Sequence, residues 1–224
     1  MKRAVILVAG GQGVRMGNDL PKQFIPLLGK PLLMFTLELF HRWDSEARII
    51  VVIPDTYLTY WNVLCQELNC RVPHRIVAGG ETRFHSVQNA LSETSDCEWV
   101  GIHDGVRPFV DPEVIETCFR VAERHGAALP VIPVSESLRE YDGVYSRPID
   151  RTRYFLVQTP QVFRGDQLAK AYQQPYTPLF TDDASVFEAA GGSVCLTPGN
   201  PENIKITTPI DLIFAEIQLK NSIP

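Results

Sequence analysis

Four glycines fall within eight positions, Gly10, Gly11, Gly13 and Gly17, directly after the apolar run Ala4-Val5-Ile6-Leu7-Val8-Ala9, with Arg15 and Lys22 close behind. Glycine lets a backbone take positive φ and approach another molecule without a Cβ in the way. A turn of successive backbone N–H groups makes an anion-binding concavity, and fixed cations strengthen it. Strand, glycine loop and two cations together suit a polyphosphate. The plain alternative is a tight turn with solvated cations, because glycine turns are common. Two standard phosphate loops are excluded. A P-loop ends in Gly-Lys-Ser/Thr, and no glycine here starts that register. The dinucleotide fingerprint Gly-x-Gly-x-x-Gly fails because Met16 stands at the third glycine.

The pattern Ala9-Gly10-Gly11-Gln12-Gly13-Val14-Arg15-Met16, followed by Pro21-Lys22, resembles the signature of nucleotidyltransferases that attach a nucleoside monophosphate to small phosphates and sugars. The continuation Lys22-Gln23-Phe24 points to the branch that uses CTP. Such a reaction brings two polyanions together and releases pyrophosphate, so catalysis is mostly positioning and charge neutralisation. It calls for several cations and a carboxylate able to orient Mg²⁺. Arg15, Lys22, Arg107 and Lys205 supply the first and Asp104 the second. Each has a simpler reading. Asp104 can cap a loop, Arg107 can be its ion-pair partner, and Lys205 can snorkel from apolar neighbours. His103 reads as a hydrogen-bonded structural histidine, and a phosphate monoester, already anionic at neutral pH, needs no general base.

The elements that must position these residues alternate. Strands are predicted at 4–9, 48–53, 74–78 and 99–102, with helices over 31–40, 56–69, around Val87-Ala90-Leu91 and from Asp111-Pro112-Glu113 to Gly126. Residues 127–134 return to extended structure. Alternation of this kind argues an α/β domain with a largely parallel sheet, whose ligands bind outside the carboxyl ends of the strands. The loops 10–22, 79–83 and 103–107 each follow such an end, so they are expected to converge on one site. The stretch 135–157 alternates polar and apolar residues around Tyr141-Asp142-Gly143, a hairpin signal. An isolated hairpin is marginally stable, so it must pack either on its own domain or on a second subunit. Further on, a helix is predicted from Gly165 to Tyr172, another capped by Thr181-Asp182-Asp183-Ala184-Ser185, a strand at 193–196 and a closing amphipathic helix at 210–217. No repeat or linker divides residues 1–224, which read as a single domain.

Composition is that of an ordinary globular protein, with 45% hydrophobic and 21% charged residues. A net charge of −5 argues against non-specific nucleic-acid or membrane-surface binding, so an anionic substrate must be met by locally gathered cations. Cys65, Cys70, Cys97, Cys118 and Cys195 form no Cys-x-x-Cys and read as reduced, mostly buried thiols of a cytoplasmic protein. The apolar run after Met1-Lys2-Arg3 is too short for a secretion signal, and no stretch approaches membrane-spanning length.

Taken in order, the motifs cover essentially the whole chain: the glycine loop, Pro21-Lys22-Gln23, Gly79-Gly80-x-x-Arg83-x-x-Ser86, His103-Asp104-x-x-Arg107-Pro108, Asp150-Arg151, Gln158-Thr159-Pro160-Gln161, Thr181-Asp182-Asp183-Ala184-Ser185 and Asn203-Ile204-Lys205-x-Thr207. They resemble the 2-C-methyl-D-erythritol 4-phosphate cytidylyltransferase family of the non-mevalonate isoprenoid route. The resemblance implies a Rossmann-like, three-layer α/β nucleotide-diphospho-sugar transferase fold, with a mostly parallel twisted sheet and a protruding β-hairpin arm. It implies that Ala9, Gly10, Gly11, Gln12, Gly13, Gly80, Glu81, Arg83 and Ser86 bind CTP, and that Arg15, Lys22 and Lys205 are catalytic. Asp104, Arg107, Arg151, Thr159 and Thr181 would bind the polyol phosphate, with Asp104 also holding Mg²⁺. Residues 135–157 would join a homodimer, carrying Arg151 to the neighbouring subunit's substrate.

Three positions depart from the family pattern. Val8-Ala9-Gly10-Gly11 replaces the usual Pro-Ala-Ala-Gly, Gly105-Val106 replaces Ala-Ala, and Glu136-Ser137-Leu138-Arg139 replaces Asp-Thr-Ile/Val-Lys. The first two lean toward the sister ribitol 5-phosphate cytidylyltransferases. Asp150-Arg151 and Thr181–Ser185 follow the methylerythritol branch and should face the second substrate, so they carry more weight. Ribitol 5-phosphate as acceptor, and a non-catalytic CTP-sensing module, remain the two rivals; the missing third glycine makes a nicotinamide oxidoreductase the weakest reading.

Overall fold

A computed structural model describes residues 2–10 and 20–222. Strand β1 (Arg3–Val8) is its axis, lying between two parallel neighbours with Ala4 to Leu7 buried. It pairs β4 (Arg48–Ile53) on one side and β6 (Trp99–Asp104) on the other, in a register that sets Val8 opposite Val52 and Asp104. That register carries Asp104 to the edge of the glycine loop. Between β1 and β4 come a tight hairpin of β2 (Pro26–Leu27) and β3 (Lys30–Pro31), and then α1 (Leu32–Trp43). Leu28 and Gly29, both at positive φ, form the hairpin turn. Next follow α2 (Leu58–Glu67), β5 (Arg75–Ala78) and α3 (Arg83–Leu91). Helix α4 (Pro112–His125) starts as its sequence prescribes: the Asp111 carboxylate accepts the Glu113 N–H at 2.8 Å, and Gly126 ends the helix at φ 95°.

Successive residues of a strand face opposite sides, and β1 shows the consequence. Val5 and Leu7 meet Leu33, Leu37, Phe40, Trp61 and Phe119 from α1, α2 and α4. Ala4 and Ile6 meet Phe84, Val87 and Leu91 of α3. Two cores, one on each face of the sheet, make the three layers, and the sequence-based fold class is borne out.

Beyond β6 the sheet becomes mixed. Strand β7 (Ala127–Pro133) runs parallel to β12 (Cys195–Pro198) but antiparallel to β10 (Phe155–Val157) and β11 (Gln161–Arg164), and β11 also pairs β6 antiparallel. The region 135–157 therefore divides. Its last three residues are β10 of the main sheet, whereas β8 (Arg139–Tyr141) and β9 (Ser146–Pro148) project as a separate two-stranded ribbon. The loop between them has four residues, with the Asp142 carboxylate accepting the Val144 and Tyr145 N–H groups. All six residues of β8 and β9 are exposed, so the ribbon does not lie on its own domain.

The remaining helices are α5 (Gly165–Ala171), α6 (Asp183–Ala189) and α7 (Pro209–Ser222). Helix α6 opens with a reciprocal cap between Asp182 and Ser185. Helix α7 is longer than its sequence pattern suggested and apolar on two sides. Leu212, Ala215 and Leu219 pack inward, while Ile210, Ile213 and Ile217 are exposed. The cysteines correct the sequence reading as well: Cys97 and Cys118 are buried, but Cys65, Cys70 and Cys195 are only half-buried. Among the described residues no helix is long and apolar enough to cross a membrane.

Candidate active site

The carboxyl ends of β1, β4, β5 and β6 open into one cleft of about 570 Å³. Ala9 and Gly10, Asp55, Gly79 to Arg83, Ser86 and Asp104 line it, together with Lys22 and Lys205 from outside the sheet. The described ends of the first loop, Gly10 and Lys22, converge there with residues of 79–83 and 103–107. The residues Gly11, Gln12, Gly13 and Arg15 lie outside the described residues.

Lys22 reaches the cleft because its two neighbours anchor the short 3₁₀ turn it starts. The Gln23 amide donates to the Ala9 carbonyl at 2.6 Å, and Phe24 is buried against Tyr57, Tyr60 and Trp61. The Gly-Gly-x-x-Arg-x-x-Ser spacing is explained by Ser86, one turn into α3. Its hydroxyl accepts the Gly80 N–H at 3.1 Å and donates to the Thr82 carbonyl at 2.9 Å. A Cβ on Gly80 would stand 2.4 Å from that of His85, so only glycine lets the loop fold this tightly onto the helix. Glu81 is exposed at the rim.

Asp104 is the electrostatic centre. Its carboxylate is 3.0 Å from Arg107 Nε, 3.1 Å from Lys205 Nζ and 3.7 Å from Arg83 Nε. Burial alone would raise its pKa, but Arg83, Lys205 and Arg107 outweigh burial and hold it well below the usual carboxylate range. Of these cations only Arg83 and Lys205 line the cleft. Arg107 turns away, donating to the Asn203 carbonyl at 2.7 Å as well as to Asp104. Arg83 gives its fork to Asp183, at 2.7 and 2.6 Å, and Asp183 is fully buried and also accepts from Tyr172 Oη at 2.6 Å.

Thr159 is buried behind the carboxylate rather than in the cleft. Its hydroxyl accepts the Asp104 N–H at 3.2 Å and donates to His103 Nδ1 at 3.0 Å. The other imidazole nitrogen, Nε2, lies 3.0 Å from the Arg107 carbonyl, which can only accept, so Nε2 carries the proton. Burial pushes the His103 pKa down to about 4, and the ring is neutral with both nitrogens engaged. It is a structural histidine. Thr181 is exposed and does not line the cleft. Arg151 is exposed on a 3₁₀ turn at the base of the ribbon, bonded to the Ser135 carbonyl.

Sequence reasoning passed over two sets of residues. Thr181–Ser185 was expected to face the second substrate, but Asp183 is fully buried, and its pairing with Arg83 spans 100 positions and leaves no local signal. The second set is Asn203, whose amide donates to the Thr159 carbonyl at 2.8 Å, and Gln158, which donates to the Asn200 carbonyl at 2.8 Å. These bonds clamp the segment before Lys205 onto the strand end, helped by the Ile206 N–H to the Val106 carbonyl at 3.0 Å.

The family model for 2-C-methyl-D-erythritol 4-phosphate cytidylyltransferase matches residues 3–221. The chain belongs to that family. It is 55% identical over 212 residues to the Bacteroides thetaiotaomicron protein of that name, covering 95% of this chain and 97% of the other. Among solved structures, 4-diphosphocytidyl-2C-methyl-D-erythritol synthase from Anaerococcus prevotii superposes with a TM-score of 0.83 at 26% identity, covering 98% of each chain. The Francisella tularensis 2-C-methyl-D-erythritol 4-phosphate cytidylyltransferase gives 0.80 at 31% identity, covering 97% of this chain and 100% of its own.

Two of the three departures from the family pattern put a glycine against close neighbours. A Cβ at Gly105 would meet Leu33 Cδ1 at 2.8 Å and Ala9 Cβ at 3.0 Å, and one at Gly10 would meet Ser86 Oγ at 3.3 Å. At both positions the nearest atoms a Cβ would meet are side chains of this same chain.

Proposed function

We infer that this protein transfers CMP from CTP to 2-C-methyl-D-erythritol 4-phosphate, giving 4-diphosphocytidyl-2-C-methyl-D-erythritol and pyrophosphate. What carries the inference is that the family's ordered motifs, from Lys22 through Arg83 and Asp104 to Lys205, line a single cleft. An oxygen of the acceptor phosphate attacks the α-phosphorus of CTP. The new P–O bond forms as the bond to the β-phosphate oxygen breaks in line, and pyrophosphate leaves. No proton has to be removed from the acceptor, which agrees with a neutral, fully bonded His103.

Lys22 and Lys205, with Arg15, neutralise charge around the transferring phosphorus. Gly10 and Gly80 let the nucleotide approach the backbone, Glu81 and Arg83 border it, and Ser86 holds Gly80 in place. Asp104 fixes Lys205, while Arg107 and Thr159 fix Asp104.

The described lining carries as many carboxylates (Asp55, Glu81, Asp104) as cations (Lys22, Arg83, Lys205), too little positive charge for a triphosphate. This supports a requirement for a divalent cation such as Mg²⁺, which would supply charge neutralisation on the phosphates. Mg²⁺ sites use one or two carboxylates plus substrate phosphates. Asp104 fits as that donor, since Oδ2 serves Arg107 and Lys205 while Oδ1 has only the longer Arg83 contact.

The exposed ribbon supports a homodimer in which Arg151, with Thr181, meets the acceptor phosphate of the other copy. We place the reaction in the cytoplasm, in keeping with five free thiols.

The deciding experiment is pyrophosphate release from CTP and Mg²⁺ with methylerythritol phosphate and ribitol 5-phosphate in parallel. Release with the first acceptor is expected. Release with ribitol 5-phosphate alone would overturn the acceptor, and CTP binding without release under either would make the chain a sensing module.

A further inference from the structure

Helix α2 ends in a way that forces two cysteines together. Asn69 takes the left-handed conformation, φ 50°. Around it the Cys70 N–H donates to the Cys65 carbonyl at 2.8 Å, and the Asn69 N–H to the Gln66 carbonyl at 3.1 Å. This pair of bonds, six-to-one and five-to-two, is the Schellman termination of a helix, in which the residue after the left-handed one touches the side chain five positions back. That contact is ordinarily apolar. Here both partners are cysteines, so local backbone geometry, not a Cys-x-x-Cys motif, juxtaposes two thiols.

Their surroundings differ from those of a passive core pair. Both residues are half-buried rather than sealed in the core, and neither lines the cleft. The two thiols influence one another, and the Val72 backbone also acts on the Cys70 sulfur. The neighbouring thiol outweighs burial and holds Cys70 below the ordinary thiol range, while the same contact and burial raise Cys65. Glu38 and Lys30 also face Cys70 and oppose one another, since they are ion-paired at 2.8 Å. A stabilised thiolate beside a protonated thiol is the arrangement that attacking and resolving cysteines require.

We propose that Cys65 and Cys70 form a dithiol–disulfide modification site, oxidised by low-molecular-weight disulfides. The Cys70 thiolate attacks one sulfur of the reagent, forming a mixed disulfide and releasing one thiolate. Cys65 then attacks the Cys70 sulfur, closing the Cys65–Cys70 bond and releasing the second. Two electrons pass from the protein sulfurs to the reagent, and the two thiol protons end on the two released thiols.

The test uses the reduced full-length chain incubated with oxidised glutathione at neutral pH, then alkylated and digested with trypsin. Both cysteines fall in the one peptide from Ile49 to Arg71, which contains no other cysteine. The expected result is loss of two hydrogens in that peptide without alkylation, reversed by dithiothreitol. Cys65→Ser should trap a glutathione adduct on Cys70. Cys70→Ser should slow reaction at Cys65 by about tenfold or more, since it is then an ordinary protonated thiol. The proposal is overturned if the peptide stays fully alkylated while Cys195 is glutathionylated, or if the two serine variants are modified at equal rates.

Discussion

The wall of the cleft and the ribbon at 139–148 use the same residue types, arginines, acids and tyrosines, but hold them in opposite ways. In the cleft, Tyr172 is buried and bonded to Asp183, which in turn grips Arg83, and Arg83, Arg107 and Lys205 surround one buried carboxylate. In the ribbon, Tyr141 and Tyr145 are 68% and 78% exposed, and both members of the Arg147–Glu140 pair are exposed. Charges taken out of water keep their geometry only if every one is compensated, and breaking such a set is costly. Solvated pairs contribute little. The cleft is therefore specified by the chain itself. The ribbon leaves large aromatic surfaces uncovered, which a monomer ordinarily avoids.

The largest break in this comparison should come from Asp104→Asn. Removing the charge leaves Arg83, Arg107 and Lys205 facing one another. We expect cytidylyl transfer to fall by roughly a hundredfold or more. Stability measured by urea unfolding should drop by about 2–3 kcal/mol, moderated because Lys205 is 41% exposed and Arg83 keeps Asp183. A variant with wild-type turnover would remove Asp104 from the centre of the site.

A second effect is acid sensitivity from the cleft wall. His103 has a folded pKa of about 4, against about 6.5 in an unfolded chain. Between those values the unfolded chain binds the extra proton. This contribution to stability is complete above about pH 6.5 and declines as pH falls toward 4, by about 3 kcal/mol in all. Asp104 acts lower: its carboxyl is held down, so its contribution is present above about pH 4 and is lost on further acidification. His103→Asn should flatten the upper part of the profile, and an unchanged slope between pH 6.5 and 4.5 would assign the loss elsewhere.

The smallest effect on the folded chain should come from the ribbon. Changing Tyr141 and Tyr145 to Ser should alter stability by no more than about 0.5 kcal/mol at concentrations where the chain is monomeric. The same pair of changes should lower the mass seen by sedimentation at higher concentration if the aromatics bury against a second copy. An unaltered mass would place the subunit contact away from the ribbon.

Much of this architecture was legible from local pattern. The helix start at Asp111-Pro112-Glu113, its stop at Gly126, the cap at Thr181–Ser185 and the buried strand before the glycine loop depend on residues within a few positions of one another. Motif order pointed to Lys22, Asp104 and Lys205, which line one cleft, because phosphate chemistry constrains residue type and spacing. Other features were out of reach of any local rule. The pairing of Arg83 with Asp183, the clamp of Asn203 on Thr159, and the diversion of Arg107 from the cleft all join segments far apart in the chain. So does the packing of Gly105 on Leu33 and Ala9. The sequence by itself determined which groups are present and which local turns they start and stop. Which cation meets which carboxylate was decided only when the sheet register set Val8 beside Asp104 and the closing segment folded back over both. The physical reason is that hydrogen bonds and ion pairs act over a few ångströms, and only the folded chain brings those ångströms about.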